Sequence, residues 1–467
     1  VHNSCCVRLG WIVQTLDTKL FKLVLLLIGA LLGATLAPLG STSIAVAIPL
    51  ISPEIGADTT LVTQLLVGGY LFICIVGQGP GGKLADTIGT TRTLYLGLII
   101  FLSGTLLGFM VADIVALTIS RMAMAVGTAF ISPATQSLLR RRMPSRLLTL
   151  SFGIYGTTMS AAAALGPWIG GIIVQTNHWS WVFALNIPVA VLSALLIGIA
   201  VMNDPVKEDK MRAGSFDLIG LLLLAGFVLS LQSTVLLTDH LLLLAIGLGL
   251  TCLVCLIIQE NRHSNPILNP VLFQNLSYSC CCATNALNNL VMYSLLFQIP
   301  LLLSGIWGLS PLSIGSILLA MTLGMMTAGP IAGVLMNLLG PRYLVILAQL
   351  LTASGLLTLY LTITSIEHQY LLPALVACGA GLGLTMPSVQ SVALGVTEPS
   401  KSGSAAGTLN TFRYIGGAAG ISMMTLMLSG AESSVTVHQS VLLAYGVAVA
   451  IITLISIYMP RKLIVVH

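Results

Sequence analysis

The hydrophobic pattern of this chain is one of long unbroken runs rather than short alternations. Apolar stretches of about twenty residues or more follow one another, separated by short segments holding Gly, Pro and most of the charge. About 20 apolar residues in a helix cross the ~30 Å hydrocarbon core of a bilayer. By that rule the pattern predicts fourteen spans, at 22–49, 61–81, 93–112, 114–139, 148–175, 181–202, 217–237, 240–259, 278–303, 312–336, 343–364, 370–395, 403–429 and 439–459. Several exceed the minimum length and contain Pro or Gly, which predicts tilt or kinks. The expected fold class is an all-α integral membrane protein.

Composition excludes the soluble alternatives. Of 467 residues, 56% are hydrophobic and only 7% are charged, against about 25% charged in a typical soluble domain. The net charge of +5 is spread over short loops, so it is not a nucleic-acid footprint. The first span is too long for a signal-peptide core and has no cleavage site, so it is expected to remain as an anchor.

Charge placement orients the chain. Arg121 and Arg413 lie within spans, whereas the other basic residues fall on the termini and on every second loop. Those loops carry Lys83 and Arg92, then Arg140, Arg141, Arg142 and Arg146, then Lys207, Lys210 and Arg212, and later Arg262, Arg342 and Lys401. The opposite loops hold Glu54, Asp58, Asp113, Asp239, Glu367 and Glu432 and no Lys or Arg. This bias predicts that both termini are cytoplasmic, in a multi-pass protein of a bacterial inner membrane.

An internal repeat organises the spans. "GKLADTIGTTR" from Gly82 matches "GVLMNLLGPR" from Gly333 in its Gly, Leu, polar and Arg positions. "GTAFISPATQS" from Gly127 matches "GLGLTMPSVQS" from Gly381, at nearly the same offset. The repeat predicts two pseudo-symmetric six-helix bundles with a two-helix insert between them. The expected divisions are a cytoplasmic N-terminus (1–21), an N-terminal bundle (22–203), a linker with two extra helices (204–276), a C-terminal bundle (277–460) and a tail (461–467). Parallel repeats of this kind build midplane substrate sites in secondary transporters.

These motifs carry a resemblance. "GKLADTIG" resembles the signature between helices 2 and 3 of the major facilitator superfamily, and "ALGPWIGG" (164–171) resembles the helix 5 signature of its antiporters. "WSWVFALNIP" (179–188) and "LNTFRYIGGAAG" (409–420) resemble the fourteen-helix drug:proton antiporter branch. The resemblance implies alternating access and multidrug-type export of small amphipathic compounds. The chain departs from the pattern at Thr87, where the loop usually has Arg, at Asn337 for the second Asp, and at Ser180, Met124 and Ala125. In helix 1, Gly40 occupies the position usually held by an acid.

Two sets of residues are the functional candidates. The gating set is Gly82, Asp86, Gly89 and Arg92, their counterparts Gly333, Asn337, Gly340 and Arg342, and the small-residue face Gly166, Pro167, Gly170 and Gly171. Asp86 suits the N-terminal amides of a helix in one closed arrangement of the bundles, and the glycines suit close, flexible helix contacts. The cavity set is Gly40, Ser41, Thr42, Tyr70, Arg121, Met124, Tyr155, Asn285, Asn289, Tyr293, Asn410, Arg413 and Tyr414. A charge at membrane depth is costly and usually faces a cavity or a partner. The alternative for both arginines is a guanidinium bonded to backbone carbonyls, and for the asparagines, ordinary interhelical hydrogen bonds. Clustered Met residues, including Met321, Met325, Met326, Met423, Met424 and Met427, offer either an adaptable pocket or plain filling.

All Asp and Glu are expected outside the spans, which predicts that proton coupling is lost or altered and that neutral or anionic amphiphiles are preferred over cations. His is expected outside the spans too, excluding an intramembrane metal cluster. Cys252 and Cys255, and Cys280, Cys281 and Cys282, lack a redox or metal partner in the sequence, and small polarizable filling is the expected role. No catalytic arrangement, cofactor or metal is expected, and no nucleic-acid partner. The expected partners are a small amphipathic substrate, membrane lipid and at most protons, with the chain acting as a monomer. The competing readings are a facilitator or exporter of a lipid-like or anionic metabolite, and a non-transporting scaffold that kept the fold.

Overall fold

The computed structural model describes residues 2–57, 61–62, 64–144, 147–201, 217–233, 239–264, 266–309, 311–363, 368–428 and 434–463. Those residues are helical throughout, apart from short turns and connections. The helices are α1 (His2–Glu54), α2 (Gly69–Thr87), α3 (Thr90–Met110), α4 (Ile114–Arg142), α5 (Leu148–Thr176) and α6 (Asn186–Val201). They continue as α7 (Leu218–Ser233), α8 (Asp239–Arg262), α9 (Leu276–Gly305), α10 (Pro311–Thr362), α11 (His368–Gly395), α12 (Ser402–Leu428) and α13 (Val435–Ser456). Eleven helices among the described residues are long and apolar enough to cross a membrane.

Local sequence sets where these helices begin and bend. The Asp113 side chain accepts hydrogen bonds from the Val115 and Ala116 amides and caps α4, and Asn275 does the same for α9 through Ser277 and Tyr278. Side-chain caps of this kind satisfy the otherwise orphaned first-turn N–H groups. A π-helical turn, Gln64–Gly68, leads into α2. α10 turns sharply at Gly340 (φ 76°, ψ 165°), so its 52 residues form two arms. Gly89 between α2 and α3 has φ 104°. These left-handed glycines sit at matching places in the two copies of the repeated loop motif, where a side chain would be strained.

Helices 1–6 enclose one apolar core, running from Leu26 to Ala200 with Phe101, Met124 and Phe183 inside it. A second core, from Val291 to Val449, lies among α9, α10, α11, α12 and α13. A third joins the two groups through Leu139, Leu148 and Phe152 on one side and Ala332, Leu384 and Ala405 on the other. α7 and α8 pack on each other and on α2 and α12, through Ile75, Leu224, Val228 and Leu256. Lipid supplies no hydrophobic drive between helices, so contact rests on small residues and polar bonds. Gly153 and Gly329 bring α5 and α10 together backbone to backbone.

Several sequence expectations change. α1 runs from His2, so the chain is already helical ahead of the first apolar span, which covers Phe21–Ile44. His438 lies inside α13, fully buried, and receives a hydrogen bond from Gln298 through its backbone oxygen at 3.0 Å. The apolar run that starts at 439 gave no sign that the helix begins four residues earlier, at Val435. Asp86 and Glu260 are likewise within helices and buried, because α2 and α8 extend one turn past their apolar stretches. Arg146, Lys207, Lys210 and Arg212, with Asp58, Glu367 and Glu432, lie outside the described residues.

Candidate substrate cavity and gate

One end of the bundle, the end where the basic loops gather, is closed by a polar lock between the two groups. α2 carries Asp86 in its last turn, directly beneath the N-terminus of α12. One carboxylate oxygen accepts from the Gly403 amide at 2.8 Å and from Arg141 Nη2 at 2.9 Å. The other accepts from the Ser404 amide at 2.7 Å and from its hydroxyl at 2.6 Å. Asp86 thus caps α12 and faces the positive end of its dipole. Its side chain is 1% exposed, and four donors compensate the burial of its charge.

The last turn of α4 completes the lock. Arg141 also reaches the Ser402 hydroxyl and the Ser400 carbonyl, both at 3.1 Å. Arg140 donates to the Leu394 carbonyl at 2.6 Å, and the Ser137 and Ser402 hydroxyls meet at 2.6 Å. Gly82 and Gly403 touch through their backbones, and a Cβ on either would strike the other's carbonyl. Arg141, Ser402 and Gly403 escaped the sequence reading. Their signal was the run of three arginines closing α4 and the small residues opening α12, but the pairing itself spans more than 250 residues.

Other gating candidates fall elsewhere. Arg92 is exposed, away from the lock. In the second copy Asn337 bonds only to the Gly333 carbonyl of its own helix, at 3.3 Å. Gly333 packs on Leu150, while Gly340 meets the Arg461 carbonyl. Arg342 donates to the Met459 carbonyl at 2.7 and 2.9 Å. That copy fastens the chain's own C-terminal end, so the two ends of the repeat do different work. Gly166 and Gly170 lie against Thr42 and Ser43 of α1, whereas a Cβ on Gly171 would meet nothing. Pro167 falls between them in α5, its side chain outside the description.

Above the lock, a chain of amides links four helices. Asn410 donates to Gln78 at 3.2 Å and accepts from Gln136 at 3.0 Å, and Gln136 also reaches the Tyr155 hydroxyl at 3.2 Å. Gln78 and Gln136 were not singled out from the sequence, although Gln136 is part of the repeated Pro-x-x-Gln-Ser motif. These amides tie the two groups together, while Gln78 Nε2 and Gln136 Oε1 are buried with no hydrogen-bond partner among the described residues.

The two intramembrane arginines differ. Arg121 stacks its guanidinium 4.2 Å from the Tyr70 ring and donates to the Leu66 and Gly40 carbonyls, both at 2.9 Å. The π-helical turn presents the Leu66 carbonyl, since such turns break the regular ladder. Arg121 is therefore tied to backbone inside the N-terminal group. Gly40 points the same way, toward Met124, Asn186 and Phe101, and Met124 is fully buried beside it. Ser41 and Thr42 bond back to the Pro38 carbonyl.

Arg413 is 3% exposed and lies 4.6 Å over the Tyr414 ring. Its Nε and Nη2 have no hydrogen-bond partner, and no ion pair reaches it among the described residues. Tyr155 and Tyr293 are within its electrostatic reach. Tyr414 itself packs against both α2 and the α7–α8 pair. Asn285 donates to the Leu409 carbonyl and Asn289 to Asn285, each at 2.8 Å, so these amides fasten α9 to α12 and to itself. Met321 and Met424 are buried in the C-terminal core, with Met325, Met423 and Met427 packed against it, and Met122 is exposed. Cys280, Cys281 and Cys282 are buried.

Two helix groups closing over a polar centre, with a lock at one end, define a multi-pass membrane transporter. The sequence profile of the Major Facilitator Superfamily matches residues 30–259 and 281–463, and the chain belongs to that superfamily. It is 30% identical over 400 residues to the uncharacterized MFS-type transporter YvkA of Bacillus subtilis, covering 84% of this chain and 87% of that one. It is 26% identical to the tetracenomycin C resistance and export protein of Streptomyces glaucescens, covering 86% and 75% respectively. The multidrug transporter protein MdtP of Bacillus subtilis is also 26% identical, with 88% and 76% covered. These relatives place the chain in the drug-efflux branch: a transporter, not an enzyme. Among solved structures, the proton:xylose symporter XylE superposes with a TM-score of 0.69 at 14% identity, over 95% of this chain and 97% of that one. The human organic anion transporter MFSD10 gives 0.66 at 15%, over 92% and 99%. Both likenesses concern the fold alone.

Proposed function

We propose that the chain exports neutral or anionic amphiphiles by alternating access between two six-helix halves, as a fourteen-span protein whose basic end is cytoplasmic. The eleven apolar helices, the second arm of α10, and the shorter or more polar α7 and α12 support that count. The basic loops support the orientation. With the lock formed, the basic end is shut and the space between the halves faces outward.

The observation that carries the substrate class is Arg413. A buried guanidinium with unsatisfied donors, among tyrosine rings, favours a ligand that brings an anion or acceptor on an apolar body. Among the described residues no carboxylate neutralises it, so a cation would be repelled. The unpartnered donors of Arg413 support substrate carriage over scaffolding.

The test uses purified protein in proteoliposomes and amphiphiles sharing one apolar body with anionic, neutral or cationic heads. Counterflow of the anionic probe should exceed that of the cationic one. Arg413→Gln should cut the anionic rate about tenfold, the equivalent of ~1.4 kcal/mol, and should barely change the neutral one. Equal transport of the cation, with no effect of the substitution, would contradict the reading.

A further inference from the structure

The foot of the α7–α8 pair holds two buried carboxylates that the transport cycle described above does not use. Asp217 immediately precedes α7 and is 1% exposed; Glu260 is in the last turn of α8 and is 5% exposed. Each has one oxygen engaged. Asp217 Oδ1 accepts from the Gly220 amide and from Gln259 Nε2, both at 2.9 Å. Glu260 Oε2 accepts from the Leu268 amide at 3.1 Å. The other two oxygens, Asp217 Oδ2 and Glu260 Oε1, are buried and have no hydrogen-bond partner among the described residues. They converge on one point: a Cβ placed on Gly220 would lie 2.5 Å from the first and 3.2 Å from the second.

Two like charges buried beside the same backbone position cannot both be held cheaply, whereas one shared proton supplies the missing donor and removes the repulsion. Among the described residues, few charges lie around them. Lys83, on α2, interacts with both carboxylates. His263 Nδ1 is 4.0 Å from Asp217 Oδ2, beyond hydrogen-bonding distance. Arg262 points outward. Asp86 and Lys401 face the same side across a cavity of about 300 Å³ that also exposes Glu260, His263 and Ser404. The linker residues 264–275 carry no charge.

We infer that Asp217 and Glu260 together bind a single proton, taken from the aqueous cavity at the basic end, and that this proton regulates the gate. The connection is physical. Glu260 holds the Leu268 amide, Ile267 and Leu268 lie against Gly79 of α2, and one turn further along α2 is Lys83, followed by the lock residue Asp86. When the proton returns to water, two charges face Lys83, and the linker's hold on the lock helix changes. Proton binding here rests on the geometry of the pair alone; its effect on transport rests on the alternating-access reading proposed above.

The test separates the two. Infrared difference spectra of the wild-type protein in lipid, taken across pH, should contain a protonated carboxyl band that disappears on deprotonation. The band should be absent from both Asp217→Asn and Glu260→Gln, since either substitution removes the sharing partner. In proteoliposomes at equal pH on both sides, the wild-type rate should change about fivefold or more across that titration, and the rate of either variant should be flat. Should either single variant fail to fold, Asp217→Asn/Glu260→Gln, which keeps hydrogen-bonding amides at both places, serves for both readouts. A band unchanged by these substitutions would overturn the proton site, whatever the transport result. A band lost as expected, with variants as pH-dependent as wild type, would overturn the regulatory role alone.

Discussion

Arg121 and Arg413 are the same residue type in the same apolar setting, yet their donors are disposed differently: among the described residues Arg121 leaves Nη2 without a partner, and Arg413 leaves both Nε and Nη2. Arg121 is fastened to two carbonyls and a ring, so its role within the bundle is to brace α1 and the π-helical turn. A lysine there has neither the fork nor the flat face. Arg121→Lys should therefore cost about 1.5–3 kcal/mol, read as a lower midpoint of thermal unfolding in detergent, with transport by the surviving folded fraction little changed. Gly40→Asp meets Met124 Cε at 3.3 Å in a closed core, so it should lose about 1–3 kcal/mol by overpacking rather than install a working proton site. An assay of folded yield alongside proton-driven transport distinguishes those outcomes. The sequence made both arginines visible as charges in apolar runs. It did not show how many donors each one has occupied, because carbonyls freed by a π turn leave no mark on residue type.

At the scale of elements, the closed end depends on how nearly α2 and α12 approach. Gly82, Gly403 and Gly407 make that contact without side chains. Gly82→Ala should force the pair apart and disfavour the closed basic end by about 1–3 kcal/mol, which is roughly 5–150-fold in the conformational equilibrium. Distance measurements between spin labels on the basic ends of α2 and α12 should then report a population shifted to the longer separation. An unchanged distribution would mean that the contact is incidental. Gly82 and Asp86 stood out in the repeated motif, and the matching left-handed Gly89 and Gly340 were its most legible structural elements. Their partners did not stand out. Asn337 and Arg342 share the motif without forming an interhelical latch, because a repeat in sequence conserves the turn while each copy meets a different neighbour.

For the whole molecule, the apolar runs and the alternation of basic and acidic loops carried most of the fold. What they could not carry were helix ends, since Asp86, Glu260 and His438 lie in turns that continue beyond the apolar stretch. Those extensions hold the lock and the paired carboxylates, which is why the polar machinery of the basic end was the least legible part. The orientation is open to a direct check. A cysteine replacing Asp113 should react with an impermeant reagent added outside whole cells, and one replacing Gly89 should not.

If the halves alternate as proposed, the basic end closes and reopens in every transport cycle. Ser137 and Ser402 come within 2.6 Å across that seam, so the Ser137→Cys/Ser402→Cys double variant can be cross-linked there. Counterflow in proteoliposomes before and after oxidation measures the consequence, with each single variant as control for the native cysteines. The account predicts that oxidation abolishes transport by the double variant alone and that a reductant restores it. Full transport with the cross-link formed would contradict it.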